Sequence, residues 1–253
     1  MNKKIRTILA LLLAIVSGYP LAAVAQDIFA ENTTMRVSNE QKRARMGESI
    51  EVQERFRRSI DDATKAYGAI VKGEHGQVPD SVLRNARCIA IIPNVVTGAL
   101  VVGGAHGTGL VSCRGASATW SQPATVSYNQ GSIGLQAGAK SADLVVFFQT
   151  PEAVKALKSG KIALGTDASA VAGRYDSTSD TSSAGVIVYT RSEGFFAGAS
   201  ISGSEIVGES KELANYYGTK VDYAALLEGR ENPDSSGYAK RLTSQLPDMM
   251  NIE

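Results

Sequence analysis

At Cys88 the hydrophobic period of this chain changes, and that change limits the fold more than any single motif does. Upstream, Val52, Phe56, Ile60, Ala63, Tyr67 and Ile70 recur at steps of four, four, three, four and three. That is the apolar stripe of an amphipathic helix. It starts near Glu48, and Gly73 ends it in the way glycine commonly ends helices. A second short helix is expected after Pro79, over 81–87. From Cys88-Ile-Ala-Ile-Ile-Pro93 onward the apolar runs become short and are bounded by Gly, Ser, Asn or Pro. The runs at 98–104, 108–114, 124–129, 131–139, 142–149, 161–165, 168–173, 184–190 and 195–202 read as strands.

Helices punctuate and close this strand-rich centre. Thr150-Pro151-Glu152 has the marks of a helix start: a hydroxyl cap, Pro at the first helical position and an acid in the first turn. The runs 209–217 and 222–227 read as short helices, and 235–246 as a terminal one. Glycine recurs inside the strand-like runs, at Gly103-Gly104-x-x-Gly107-x-Gly109 and Gly131-x-x-Gly134-x-x-x-Gly138. Glycine weakens a strand, so its repeated use marks bends, bulges or close backbone approach. The expected architecture is α+β, a single domain. It has a strongly curved, mainly antiparallel, glycine-rich β-sheet or barrel, flanked by helices at both ends. The expected boundaries are a signal peptide over 1–25, a poorly ordered lead-in over 26–47, a domain over 48–230 and a tail with helical potential over 231–253.

The first residues have the three parts of a secretory signal. Lys3, Lys4 and Arg6 give a positive start, Ile8 to Val16 an apolar run, and Ala23-Val24-Ala25 a small-x-small site. The apolar run is shorter than the roughly 20 residues of a spanning helix. No cysteine stands at the cleavage point to carry a lipid. The chain is therefore expected to be exported, periplasmic or secreted, and not lipid-anchored. The signal carries three bases and no acid, which leaves 23 Lys+Arg against 25 Asp+Glu, a net charge of −2. That balance gives no electrostatic case for nucleic acid. The two cysteines, Cys88 and Cys113, leave two readings open: a disulfide, which an oxidising compartment favours, or two buried thiols.

Sites of chemistry are scarce. Gly104-Ala-His-Gly-Thr-Gly109 has the spacing G-x-x-G-x-G, not the G-x-G-x-x-G of a dinucleotide loop, and a strand follows where a helix is needed. Only His75 and His106 could serve as an imidazole base, and no G-x-S-x-G elbow is present. Two histidines and two distant cysteines do not make a zinc site. Asp176-Ser-Thr-Ser-Asp180 lacks the glycine and closing glutamate of a calcium loop. No catalytic residue, metal site or cofactor is expected. One feature suits binding: the helix over 48–72 carries Arg55, Arg57, Arg58 and Lys65, with Lys42, Arg43 and Arg45 just before it. Basic amphipathic helices lie on anionic membranes. The competing reading is a helix that packs its stripe on the core and turns a mixed-charge face outward.

Several motifs, in order, resemble the SYLF domain family. They are Ser81-Val-Leu-Arg-Asn-Ala-Arg-Cys-Ile-Ala-Ile-Ile-Pro93, the Gly103–Gly109 run, Trp120-Ser-Gln-Pro123, Gly131-Ser-Ile-Gly-Leu-Gln-Ala-Gly138, Asp143-Leu-Val-Val146, Tyr189-Thr-Arg-Ser-Glu-Gly-Phe-Phe-Ala-Gly198 and Asn215-Tyr-Tyr-Gly218. The resemblance covers residues 50 to 230 and points to an exported, bacterial-type member. It implies a non-enzymatic lipid-binding protein. Eukaryotic relatives bind phosphoinositides with the help of a basic amphipathic N-terminal helix, and some bind actin. For an exported chain it implies a phospholipid or membrane surface as partner, and Arg55, Arg57 and Arg58 as lipid contacts, with actin an improbable partner. Two alternatives stay open: an envelope structural or protein-interaction module without lipid affinity, and a hydrolase of unfamiliar design in which an acid pairs with His106. The export expectation is checked by the intact mass of protein from the envelope fraction. The mature chain is expected to begin at Gln26, and a full-length mass that retains Met1 would remove the export reading.

Overall fold

The central strands carry two faces that both need covering. In the computed structural model, Cys88, Ala90 and Ile92 join one buried cluster while Ile89 and Ile91 join another. The same alternation divides Leu144, Val146 and Phe148 from Val145 and Phe147, and Val186 and Val188 from Ile187 and Tyr189. Side chains alternate across a strand, so an unbroken apolar run is a strand with helices or loops on both sides. The structure describes residues 21–73, 78–99, 102–115, 119–133, 140–172, 184–191, 203–234 and 237–248. Most of the segment expected to be a signal, His75, the loop 176–183, the turn after Arg191, the strand expected at 195–202 and the last five residues lie outside them. The chain divides into two compact units, residues 1–52 and 53–253.

Helix α1 (Leu21–Val71) begins well before the apolar stripe. Residues 26–47, read from sequence as an irregular lead-in, lie within it. Their Glu, Gln, Lys, Arg and Met residues are good helix formers without any apolar face, and Val37, Met46 and Ile50 point outward. In the second unit Phe56, Ile60, Ala63, Tyr67 and Ile70 are buried, as their spacing requires. Next come α2 (Asp80–Asn85), β1 (Cys88–Ala99), β2 (Val102–Cys113), β3 (Ala124–Ile133), β4 (Lys140–Phe148) and α3 (Pro151–Lys158). The chain continues through β5 (Lys161–Ala163), β6 (Ala170–Ala172), β7 (Val186–Arg191), β8 (Ser204–Gly208), α4 (Ser210–Tyr217), α5 (Tyr223–Leu227) and α6 (Lys240–Thr243).

The described strands form one eight-stranded sheet in the order β5-β8-β3-β2-β1-β4-β7-β6. All neighbours are antiparallel except β6 and β7. Its edge strands, β5 and β6, are consecutive in the chain. Ala163 to Ala170 spans about 25 Å at full extension, whereas the edges of a flat eight-stranded sheet stand about 34 Å apart. The sheet must curl. Within the joining segment the Leu164 N–H bonds to Ser204 O on one side, and Ser169 O accepts from Val186 N–H on the other. The result is a curled half-barrel. Ala153, Leu157, Leu213, Leu226 and Leu227 from α3, α4 and α5 pack on one face. The stripe of α1, Val82 of α2, and Ala239, Leu242 and Leu246 of the terminal segment pack on the other.

The run expected over 98–104 is divided, with 98–99 ending β1 and 102–104 opening β2, and the expected strand 88–93 is the first half of a longer β1 that bends in the middle. Pro93 does not end it. Between Ile91 and Val96 the β1–β2 register slips, and against β4 it slips between Ile92 and Val95. β1 absorbs one extra residue as a bulge, with Asn94 at φ 53° and its N–H on Asp143 Oδ1 at 2.9 Å. The bulge presses β1 onto β2 where Gly107 and Gly109 lie. A Cβ on Gly109 would sit 2.1 Å from the Ile91 carbonyl oxygen, so a side chain there would prise the pair apart.

Cys88 and Cys113 are register partners at the start of β1 and the end of β2, and they form a disulfide. The Arg114 N–H donates to Arg87 O at 2.7 Å, so the neighbouring cysteine pair is the non-hydrogen-bonded kind, in which side chains approach most closely. The buried bond, with a sequence separation of 25, is expected to stabilise the fold by about 3.5 kcal/mol in the chain-entropy account. Chemical denaturation of Cys88→Ser/Cys113→Ser should show that loss. Two titratable thiols in the denatured, unreduced native protein would refute the bond.

Burial pushes the phenols of Tyr67, Tyr217 and Tyr223 well above the ordinary tyrosine range. A group whose pKa is raised by folding stabilises the fold below its unfolded value and loses that contribution as pH rises. Stability is therefore expected to fall above about pH 10, by about 1.4 kcal/mol per pH unit for each trapped tyrosine. Denaturation midpoints between pH 9 and 11 check this, and Tyr67→Phe should flatten the slope.

Candidate functional site

The arginines read from sequence as lipid contacts divide into two kinds. Arg57 is engaged: its Nη1 lies 3.5 Å from Glu54 Oε1 and its guanidinium carbon 5.4 Å above the Tyr238 ring. Tyr238 donates its hydroxyl to Asp61, which also holds Arg241 at 3.4 Å. This corner ties α1 to the terminal segment, so Arg57 serves the fold. Lys65 stands 3.8 Å from Asp62, an exposed pair of little energetic weight. Arg55 and Arg58 are exposed and have no ion-pair partner among the described residues.

A stronger concentration of positive charge lies at the end of the sheet where β1 begins. The end of α2, the exits of β2 and β4, and one side of α3 enclose a cleft of about 900 Å³. Its wall carries Arg84, Arg87, Arg114, Lys155 and Lys158 against a single acid, Glu228. The strand ladder positions two of these. Arg87 and Arg114 flank the disulfide, one residue outside each cysteine, and their backbones bond to each other. Lys155 and Lys158 are three apart on α3, which places them on one helical face. Thr150 caps that helix by accepting the Ala153 N–H, and Pro151 takes the first position, as the sequence predicts.

The five cations differ in availability. Arg114 is structural: Nη1 bonds to Arg84 O at 3.3 Å, and Nη2 to Leu83 O at 3.4 Å and Pro247 O at 2.8 Å. Its guanidinium lies 4.9 Å from the centre of the Trp120 ring, and Trp120 Nε1 also donates to Pro247 O. Burial lowers the Arg114 pKa, while Asp248 and Tyr67 act the other way, and its Nε is buried without a partner. Arg84 lies 3.7 Å from Asp80. Arg87 is anchored at one end only, with Nε on Gln149 O at 3.0 Å. Lys155 and Lys158 have no ion-pair partner among the described residues. The opposing acid is weakened, because Glu228 Oε2 holds Arg230 Nε at 2.6 Å. The net field in the cleft is positive.

None of the five cleft cations was picked out in the sequence as a binding residue, since they are scattered from 84 to 158. One signal was available: if Cys88 and Cys113 bond, Arg87 and Arg114 must be neighbours. His106, the imidazole considered for hydrolysis, is exposed on the sheet. Its Nδ1 lies 2.7 Å from Asn129 Oδ1, an amide and not an acid, and it is not part of the cleft. His75 lies outside the described residues. Among the described residues no cluster of three His, Cys, Asp or Glu is placed to hold a metal, and no helix is long and apolar enough to cross a membrane.

Comparison with known proteins places this chain in a family. Residues 129–248 match the family model Ysc84, described as Las17-binding protein actin regulator. "LAS seventeen-binding protein 3" of Saccharomyces cerevisiae is 30% identical over 201 residues, which cover 74% of this chain and 44% of that protein. "Protein YSC84" of the same organism is 28% identical over 198 residues, 73% of this chain and 42% of that protein. "SH3 domain-containing YSC84-like protein 1" of Homo sapiens is 29% identical over 146 residues, covering 55% and 42%. The chain thus spans less than half the length of these relatives, the first of which is named as a binding protein. No solved structure matches. The family match, these relatives and the ordered run of motifs from Ser81 to Gly218 together show that the chain belongs to the Ysc84 family and carries its SYLF domain.

Proposed function

We propose that this chain is a non-enzymatic binding module that associates with anionic lipid surfaces in an exported, oxidising compartment. The observation that carries the reading is the cleft at the sheet end, with five cations around one weakened acid in a chain whose mature net charge is negative. Positive charge gathered in one place against an unfavourable global balance is what attraction to an anionic surface needs. Arg55 and Arg58 add exposed charge on α1, where the family resemblance puts a lipid-contacting helix. The buried disulfide supports the exported setting. An actin partner stands or falls with that setting, since an exported chain does not meet actin.

The second reading is a protein-interaction module. It is favoured by the name of one relative, "LAS seventeen-binding protein 3", and by the family description, both of which refer to binding another protein. The two separate in vesicle sedimentation with phosphatidylglycerol and with neutral phosphatidylcholine. Wild type is expected to bind the anionic vesicles, weakly and reversibly, and to release as salt shortens the Debye length. Each basic residue near such a surface contributes about 1 kcal/mol. Arg55→Ser/Arg58→Ser should therefore lower partitioning by up to about thirtyfold at low salt. If wild type sediments with neither vesicle, the lipid reading fails and the protein-interaction reading takes its place.

A further inference from the structure

We infer that the cleft at the sheet end is a site for a phosphomonoester, held by Arg87, Lys155 and Lys158. The inference rests on the reading above, but it names a specific anion where that reading needs only diffuse charge. A phosphomonoester carries close to two negative charges and three terminal oxygens at neutral pH. A phosphodiester, the linkage inside common glycerophospholipids, carries one charge and two free oxygens. The availability of the cleft cations favours the first. Arg87 is held by its Nε on the Gln149 carbonyl, which leaves the other edge of its fork for an anion. Lys155 and Lys158 stand on one face of α3 without carboxylate partners among the described residues. Three cations on two rigid elements suit a dianion with three oxygens.

The surroundings strengthen this choice. Arg114 is fixed to three carbonyls and stays behind the site as a charge, which raises the potential without offering its fork. The start of α3 adds few donors, since Pro151 has no N–H and the Ala153 N–H is already on Thr150 Oγ1. Recognition therefore falls to side-chain cations. The disulfide sets the spacing of Arg87 and Arg114 through the ladder, so the anion finds Arg87 already placed. The volume, about 900 Å³, exceeds what a bare phosphate fills, so the group carrying the ester has room beside it on Val154 and Ala86. Two sources supply such an ester: a lipid headgroup ending in phosphate, or a soluble phosphate ester.

Calorimetry with methyl phosphate and dimethyl phosphate, and sedimentation with phosphatidate and phosphatidylglycerol vesicles, test the site and separate the sources. Methyl phosphate is expected to bind about tenfold more tightly than the diester at neutral pH. Its binding should weaken severalfold as pH falls through about 6, where the monoester becomes a monoanion. Lys155→Gln/Lys158→Gln, two surface changes that leave the core intact, should weaken methyl phosphate about tenfold or more, and Lys155→Arg/Lys158→Arg should restore it. Equal affinity for the two esters, or a Gln variant that binds as wild type does, overturns the inference. Methyl phosphate binding without phosphatidate binding keeps the site, assigns it to a soluble ester and removes the membrane reading. Vesicle binding that ignores both the ester type and the lysines keeps the membrane reading and removes the site.

Discussion

The segment from Leu164 to Ser169 joins the two edge strands and is too short to cross the width of a flat eight-stranded sheet. Much of the remaining architecture answers to that length. Because the edges must approach, the sheet curls, and Ala153, Leu157, Leu213, Leu226 and Leu227 cover one of its faces from three short helices. Curling also demands that long strands bend. β1 does so through the Pro93-Asn94 bulge, and the bend is possible only because Gly107 and Gly109 let β1 come within what would be clashing distance of a Cβ. The repeated glycines, the bulge and the short connection are parts of one mechanical solution.

The same burial explains where charge collects. β1, β4 and β7 are buried on both faces over 88–92, 144–148 and 186–189, so charged side chains have no place in those stretches. They stand where a strand leaves the sheet: Arg87 before β1 and Arg114 after β2. β4 exits into α3, which brings its lysines to the same end. Antiparallel pairing then puts the start of one strand beside the end of the next, so residues 27 apart in sequence share a wall. The cleft is a consequence of strand ends meeting at one rim of a curled sheet, fixed laterally by the disulfide and closed on one side by Arg114 reaching across to Pro247.

Much of this was legible in the sequence, for a definite reason. The apolar stripe of α1, the change to short runs at Cys88 and the Thr150-Pro151 start are local signals, and each is where its spacing put it. What stayed hidden depended on pairing. Pro93 read as a strand end because a bulge that tolerates proline is visible only against β2 and β4. Ser204 to Gly208 did not read as a strand, since its partner β3 decides it. Residues 26–47 read as irregular because helix propensity without an apolar face leaves no period. The cleft was hidden for the same reason as the bulge: no local window contains both Arg87 and Lys155.

The arginine cluster on α1 shows how sequence proximity and availability part company. Arg55, Arg57 and Arg58 lie within one turn and look like a single patch, yet Arg57 faces Glu54 and stacks on Tyr238 while its neighbours do not. Helical geometry makes the difference, since successive positions turn by about 100°. Asp61, three to four residues on, collects Tyr238 and Arg241 and so neutralises the side of the helix nearest the terminal segment. A patch reduced to Arg55 and Arg58 offers mobile, well-hydrated charge, which attracts an anionic surface without choosing among headgroups. The cleft instead presents cations from two rigid elements. Discrimination between anions requires fixed geometry, so in the function proposed above specificity belongs to the sheet end and the helix contributes general attraction.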